Sequence, residues 1–128
     1  MKLLIDTHAA LWWINEFEKV SPKARAALLD SRHERYISIA SAWEIALKAS
    51  NGRLTGLNGG AGAFFAKLEC LPISIRPITR QHLVMVEALP FIHRDPFDRL
   101  LVAVAKSDGM TILTADANIQ KYGVPFLW

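Results

Sequence analysis

The alternation of short apolar runs with longer amphipathic segments is the feature that most constrains this chain. The runs with the length and composition of strands are Lys2 to Asp6, Tyr36 to Ile39, Pro72 to Arg76, Met110 to Leu113 and Pro125 to Leu127. The segments with helical periodicity are Thr7 to Phe17, Pro22 to Ser31, Ser41 to Ser50, Ala61 to Leu68, Arg80 to Leu89 and Pro96 to Asp108. Because strand, helix, strand units close right-handed, the sequence predicts an α/β fold: a three-layer α/β/α sandwich around a central, mainly parallel sheet of four to five strands.

Length and composition limit the class of protein. At 128 residues the chain can bury one core, and we expect a single domain over residues 1–128. No apolar stretch approaches the roughly 18 residues that span a bilayer, and Asp6 comes too early for a signal peptide, so we expect a cytoplasmic protein without membrane contact. The single cysteine, Cys70, excludes an internal disulfide, and we expect it to be buried. A net charge of +3 weakly favours nucleic acid as a partner.

Four acidic residues stand out by their positions. Asp6 ends the first predicted strand, Glu44 lies in the first turn of the helix after the second strand, and Asp116 follows the fourth. Because ligands of open α/β sheets gather at the carboxyl ends of the strands, these three are expected at one edge. Asp98 opens the helix before the fourth strand and joins them if its crossover begins at that edge. Helix capping is the alternative explanation for each acid, with Ser41 and Glu44 spaced as a capping box.

A cluster of such acids favours a hard metal ion. Carboxylates held together repel one another and need a compensating cation. Oxygen ligands without cysteine favour Mg²⁺ or Mn²⁺ over zinc, and the four histidines lack the paired spacing of zinc helices. His93 is the exception among them, because Arg94 and the acids place it near the mouth of the site, although we expect a surface or packing role for it and not a catalytic one. Asp95, followed by Pro96, is expected to cap a helix.

Four motifs, taken together, resemble one known family. They are Leu3 to Thr7, Ile39 to Ile45, His93 to Leu101 and Leu113 to Asp116. Their order and spacing are similar to those of the VapC-type toxins of bacterial toxin-antitoxin pairs, which carry a PIN domain, and the resemblance covers essentially the whole chain.

The resemblance implies a PIN-like fold and Mg²⁺- or Mn²⁺-dependent endoribonuclease activity. Asp6, Glu44, Asp98 and Asp116 match the family's acidic positions one by one, which implies that they are catalytic and metal-binding. It also implies an RNA substrate, a cognate VapB-type antitoxin that lies across the active-site groove, and a homodimer. We therefore expect the toxin component of a type II toxin-antitoxin system.

Other polar residues near the motifs are secondary candidates. Residues expected to hydrogen-bond the metal ligands or phosphate oxygens are Thr7, Ser41 and Thr114, although for Ser41 capping is the preferred role. Residues expected to bind RNA phosphates are Lys48, Arg53, Arg94 and Arg99, with simple solvation of helix faces as the alternative. Adjacent Trp12 and Trp13 cannot both face fully inward, so contact with an antitoxin or a second copy is as well founded as core packing.

Two other functions remain open from the sequence. One is a non-catalytic RNA- or protein-binding module of PIN-like fold, although concentrated negative charge does not help RNA binding. The other is a magnesium phosphohydrolase of a small molecule, since many α/β folds collect acids at this edge. The second lacks support, because no carboxylate follows Asp6 two residues later and no glycine loop suited to phosphate is present.

Overall fold

The computed structural model describes residues 1–128 as five strands and seven helices. The strands are β1 (Lys2–Ile5), β2 (Glu34–Ser38), β3 (Ser74–Arg76), β4 (Thr111–Leu113) and β5 (Phe126–Leu127). The helices are α1 (Thr7–Asn15), α2 (Pro22–Leu29), α3 (Ile39–Ser50), α4 (Gly60–Leu68), α5 (Arg80–Ala88), α6 (Pro96–Asp108) and α7 (Ala117–Gln120), and a short 3-10 helix spans Phe17–Lys19. None of these helices combines the length and the apolar character that crossing a bilayer requires.

The strands form one parallel sheet in the order β3-β2-β1-β4-β5. In the central strand β1, Leu4 lies opposite Tyr36 of β2 on one side and Ile112 of β4 on the other. The α/β prediction with a mainly parallel sheet is therefore confirmed, with five strands. Because all strands run the same way, their carboxyl ends share one edge, and the helices that follow β1 and β2 begin there.

Helices cover both faces of the sheet, as the three-layer prediction required. Leu3 and Ile5 pack into a cluster with residues of α1, α2, α3 and α4, whereas Leu4 packs with residues of α6 on the other face. All three side chains are fully buried. Burial of such a side chain contributes about 1.5–3 kcal/mol, so β1 is a strong anchor for the residue that follows it, Asp6.

One helix start differs from the prediction. The helix α3 begins at Ile39, and the hydroxyl of Ser38 caps it by accepting a hydrogen bond from the backbone N–H of Ala40 at 3.1 Å. The capping box assigned to Ser41 and Glu44 is therefore wrong. Two serines stand three residues apart, and sequence spacing alone does not distinguish the cap from the residue one turn later. Glu44 consequently lies in the second turn of α3.

The helix α6 has the predicted start and end. The carboxylate of Asp95 accepts hydrogen bonds from the N–H groups of Phe97 and Asp98 at 2.9 and 3.1 Å, and Pro96 occupies the first turn. Gly109 closes the helix with a φ of +65°. These caps place Asp98 in the first turn of α6, where its side chain faces the end of the sheet.

The expected burial of Cys70 is wrong. Cys70 is exposed in the turn that follows α4. Phe64 and Leu68 of the same helix fill the core instead, and the chain turns away from the core after Leu68, which leaves the thiol at the surface.

Candidate active site

All four predicted acids line a single pocket at the carboxyl edge of the sheet. The pocket has a free volume of about 10 Å³, close to the room that one water molecule needs. Its lining residues are Asp6, Thr7, His8, Ser38, Ala40, Ser41, Glu44, Phe97, Asp98, Leu101, Asp116 and Ile119. Asp98 joins the others because α6 runs back along the sheet and so begins at the edge where β1 and β2 end.

Asp6 is fixed by two hydrogen bonds from different segments. One oxygen accepts the backbone N–H of Ala9 at 2.8 Å and so caps α1, as expected for the capping alternative. The other oxygen accepts the hydroxyl of Thr114 beyond the end of β4. Asp6 is only 5 % exposed, so its carboxylate is both buried and held in one orientation.

Thr114 connects two of the acids. Its fully buried hydroxyl donates to Asp6 and accepts the backbone N–H of Asp116 at 3.0 Å. Asp116 in turn caps α7, its Oδ1 accepting from Asn118 and Ile119 at 2.8 and 3.2 Å. The capping role is therefore real for Asp116 as well, and its Oδ2 makes no hydrogen bond.

Glu44 is buried and faces the pocket from α3. Its Oε2 lies 2.8 Å from the Nζ of Lys48, one turn later on the same helix. Nearby, Thr7 donates to the hydroxyl of Ser41 at 2.9 Å, so these two predicted neighbours of the acids bind each other. Lys48 is the cation closest to the acids and balances one of their charges.

Asp98 completes the pocket from α6. Its Oδ2 lies 3.0 Å from Nε2 of His93, whereas its Oδ1 makes no hydrogen bond. The side chains of Asp98 and His93 are 23 % and 13 % exposed. His93 therefore has a more specific role than the surface or packing role expected from the sequence.

Burial makes the negative charge of the pocket costly. Desolvation raises the pKa of Asp6, against the hydrogen bonds from Ala9 and Thr114, and the charge of Asp116 raises it further. Desolvation also raises the pKa of Asp98 to about 6, with help from Asp95 and Asp116 and against the hydrogen bond from His93. Carboxylates whose charge is disfavoured in this way attract a cation.

The donor set fits a hard divalent cation, but the acids are not drawn together around one point. No three histidine, cysteine, aspartate or glutamate side chains are arranged so that they could hold a metal ion as they stand. The pocket nevertheless offers four carboxylates and three hydroxyls and no sulfur ligand, which is the chemistry that Mg²⁺ and Mn²⁺ prefer. Asp98 Oδ1 and Asp116 Oδ2 make no hydrogen bond to the protein and are therefore available as ligands.

The predicted RNA-binding cations lie in different environments. Lys48 and Arg53 line a second cleft, which shares His8 with the acidic pocket and has a volume of about 230 Å³. Arg94 is exposed beside the start of α6. Arg99 is buried at 7 % exposure and is not available to an RNA phosphate, contrary to the expectation. Its guanidinium points inward because it donates to the backbone carbonyl of Pro90 and to the hydroxyl of Tyr122.

Several site residues were not among the sequence predictions. Ser38 lines the pocket and caps α3. It was missed because Ser41, three residues later, has the spacing from Glu44 that is typical of a capping box. Tyr122 contacts both His93 and Arg99. No local motif pointed to Tyr122, because its partners are 29 and 23 residues away in sequence.

The first helix does not expose its tryptophans fully. Trp12 and Trp13 are half-buried and pack on the same core cluster as β1, and the ring of Trp12 lies 5.7 Å from that of Trp128. Trp43 is more exposed, at 57 %, and its ring packs edge-on against Phe97 at 4.8 Å beside the acidic pocket. A partner contact of Trp12 and Trp13 remains a prediction.

Solved structures share this fold. The chain is similar to a chain of VapBC2 from Rickettsia felis bound to a DNA fragment from their promoter, with a TM-score of 0.73 and 14% identity over 98% of this chain and 96% of that one. It is also similar to VapBC-1 from nontypeable Haemophilus influenzae (TM-score 0.66, 11% identity, 98% and 96% covered). A third similar structure is FitAcB from Neisseria gonorrhoeae (TM-score 0.58, 21% identity, 97% and 95% covered).

The sequence itself agrees with these structural likenesses. No curated protein matches the chain significantly. The PIN domain family, however, matches residues 3–125, which is nearly the whole chain and includes all four acids of the pocket. The chain therefore belongs to the PIN domain family.

Proposed function

We propose that this chain is a metal-dependent endoribonuclease that hydrolyses RNA phosphodiester bonds. PIN domains are generally metal-dependent nucleases. The observation that supports this function best is the pocket in which burial raises the pKa of two of four carboxylates, Asp6 and Asp98. A binding module gains nothing from gathering charges whose ionisation is disfavoured, whereas a metal site uses them.

The residues that would hold Mg²⁺ or Mn²⁺ are Asp6, Glu44, Asp98 and Asp116. When bound, such an ion lowers the pKa of a coordinated water and stabilises charge on the leaving oxygen. The hydroxyl of Thr114 keeps Asp6 turned toward the pocket. The mutual hydrogen bond of Thr7 and Ser41 keeps both hydroxyls at the pocket wall, within reach of a ligand or a phosphate oxygen.

The basic cleft beside the pocket suits the rest of the RNA chain. Lys48 and Arg53 line it together with His8 and Trp12. Cationic side chains attract successive phosphates, and an indole ring can stack on an unpaired base. Single-stranded or looped RNA is the expected substrate, because its backbone reaches the pocket without the unwinding of a duplex. Arg94, exposed beside the start of α6, is a further phosphate-binding candidate.

Cleavage of a mixed pool of structured RNAs tests the proposal. We expect purified, partner-free protein to cut RNA with Mg²⁺ or Mn²⁺, to stop in excess EDTA, and to lose cleavage in Asp98→Asn. Asp95→Asn is the matched control, because it makes the same chemical change three residues earlier and asparagine remains a good helix cap. Cleavage by Asp98→Asn at the parent rate would contradict the metal assignment. Binding of RNA without cleavage in any metal would support the non-catalytic module instead.

We further propose that the protein is the toxin of a type II toxin-antitoxin pair. The similar structures are of VapBC and FitAcB complexes, and exposed Trp43 with Phe97 offers an apolar surface beside the pocket. We expect a VapB-type antitoxin to cover the pocket and inhibit cleavage, and we expect the toxin to be a homodimer. Growth arrest on expression of the chain alone, with relief by a protein encoded beside it, tests the toxin-antitoxin proposal. Sedimentation equilibrium tests the homodimer, which should have twice the mass of the chain.

A further inference from the structure

Four side chains form a hydrogen-bonded chain that ends at Oδ2 of Asp98. The other carboxylate oxygen, Oδ1, makes no hydrogen bond. Arg99 Nη1 donates to the hydroxyl of Tyr122 at 3.1 Å, that hydroxyl lies 2.7 Å from Nδ1 of His93, and Nε2 of His93 lies 3.0 Å from Oδ2 of Asp98. Three separate segments contribute: α6 provides Asp98 and Arg99, the loop before it provides His93, and the turn after α7 provides Tyr122. Because Tyr122 is 29 and 23 residues from its two partners in sequence, only the tertiary structure brings these side chains together.

The guanidinium at one end fixes the direction of the first bond in the chain. Arginine has only donors, so the oxygen of Tyr122 must accept from it. The single hydroxyl hydrogen of Tyr122 is then free to donate to Nδ1 of His93. A neutral imidazole that accepts at Nδ1 has its proton on Nε2, and this N–H donates to Oδ2 of Asp98. With the tautomer that carries its proton on Nε2, every donor in the chain points toward Asp98.

The chain is anchored at Arg99 and packed at its two middle residues, Tyr122 and His93. Arg99 is buried and also donates to the backbone carbonyls of Pro90 and Val86 at 2.9 and 3.4 Å, and its guanidinium lies 4.5 Å from the ring centroid of Phe91. These contacts fix the loop that bears His93. The rings of His93 and Tyr122 pack edge-on at 5.5 Å, which limits rotation of the imidazole.

We propose that Arg99, Tyr122 and His93 form a positioning relay that holds Asp98 by its Oδ2 and leaves Oδ1 turned free for a divalent cation. The proposal rests on the metal site of the proposed function. A carboxylate fixed by one oxygen loses little further freedom when the other oxygen binds, and partners of this kind change metal affinity by about 10–100-fold. None of the three residues touches the substrate or the cation in this scheme.

Replacement of one hydroxyl tests the relay. Tyr122→Phe removes the oxygen that joins Arg99 to His93 and keeps the ring. Tyr36→Phe is the matched control, because Tyr36 is the only other tyrosine and its hydroxyl makes a single exposed hydrogen bond, to Glu34 at 3.3 Å. We expect calorimetric Mn²⁺ affinity to fall about 10-fold in Tyr122→Phe and to stay unchanged in Tyr36→Phe. Equal Mn²⁺ affinity in both variants would overturn the relay.

A pair of substitutions at His93 covers the case in which Tyr122→Phe fails to fold. Glutamine can still donate an N–H to Asp98, whereas leucine of similar size cannot. We expect His93→Gln to retain more Mn²⁺ affinity than His93→Leu, with both variants folded by circular dichroism. A merely structural role predicts the same loss in both, and that result would overturn the relay.

The tautomer of His93 is a readout that needs neither metal nor activity. Nitrogen chemical shifts of the metal-free protein near pH 8 should show the proton on Nε2 and a hydrogen-bonded, unprotonated Nδ1, a pattern that Tyr122→Phe alters. A proton on Nδ1 would overturn the relay. Wild-type protein that shows the expected tautomer but binds no Mn²⁺ would overturn the proposed metal site and, with it, the positioning role.

Discussion

Replacement of Asp98 by asparagine is expected to stabilise the metal-free protein, and the gain is expected to grow with pH. Burial, helped by Asp95 and Asp116 and opposed by the hydrogen bond from His93, raises the pKa of Asp98 from 3.8 to about 6. The folded state therefore keeps this proton at pH values where the unfolded chain has lost it. Ionisation of Asp98 costs folding free energy once the pH rises above the unfolded-state pKa of 3.8, and the full cost is reached once the pH has passed the folded-state pKa of about 6.

The size of the effect follows from this shift. A difference of about 2 pKa units at about 1.36 kcal/mol per unit corresponds to roughly 3 kcal/mol at pH 8 and to about half of that at pH 5. Asparagine keeps an acceptor for His93 and, like the protonated carboxyl, carries no charge, so it avoids this cost. The interaction of the charge with the first turn of α6 is already contained in the net shift. We therefore expect Asp98→Asn to gain roughly 3 kcal/mol at pH 8 and about 1.5 kcal/mol at pH 5.

Urea unfolding in EDTA at the two pH values measures this gain. Asp108→Asn is the control, with the same change at the opposite end of α6. Burial acts to raise the pKa of Asp108, but hydrogen bonds from Arg76 and His82 outweigh it and the pKa is lowered. Its carboxylate therefore stabilises the fold above its unfolded pKa, so Asp108→Asn is expected to lose stability at both pH values. A loss in Asp98→Asn, or a gain equal at pH 5 and 8, would refute the reasoning.

Three further substitutions test single contacts by urea unfolding near neutral pH. Thr114→Val removes a buried hydroxyl that makes two hydrogen bonds and should cost about 1–3 kcal/mol of stability. Thr55 is exposed, so Thr55→Val should change the stability little. Equal losses in the two variants would contradict the role of the Thr114 hydroxyl. Ser38→Ala removes the cap of α3 and should cost about 1 kcal/mol; no loss would mean that water replaces the cap. Gly109→Ala forces alanine to a φ of +65° and should cost about 1–2 kcal/mol of stability. Gly62→Ala lies in helix α4 with open space around it and should gain about 0.5–1 kcal/mol. A stability change of the same sign in both variants would refute the role of the left-handed backbone at Gly109.

The fold was largely predictable because local rules and tertiary packing agree. The run that forms β1 is apolar on both faces, as a central strand of a covered parallel sheet requires. The cap at Asp95 and the glycine at Gly109 mark the true ends of α6. The pocket was predictable for a related reason: carboxyl ends of parallel strands meet at one edge, and this rule brought together the acids after β1, β2 and β4.

What the sequence left open depends on contacts between distant segments. Ser38, and not Ser41, caps α3. The hydroxyl of Ser41 instead accepts a hydrogen bond from Thr7 of another helix, a contact that local spacing does not indicate. The inward turn of Arg99 is decided by its acceptors in other segments, and nothing in the spacing of charges on α6 indicates it.

Sequence by itself determined the element order, the parallel sheet and the edge where the acids gather, because these follow from periodicity and from the handedness of strand, helix, strand units. Only the tertiary structure decided how each acid is held and how burial shifts the pKa values of Asp6 and Asp98. Desolvation and hydrogen-bond direction depend on which side chains meet in space, and partners such as Tyr122 and His93, 29 residues apart, are brought together by the fold alone.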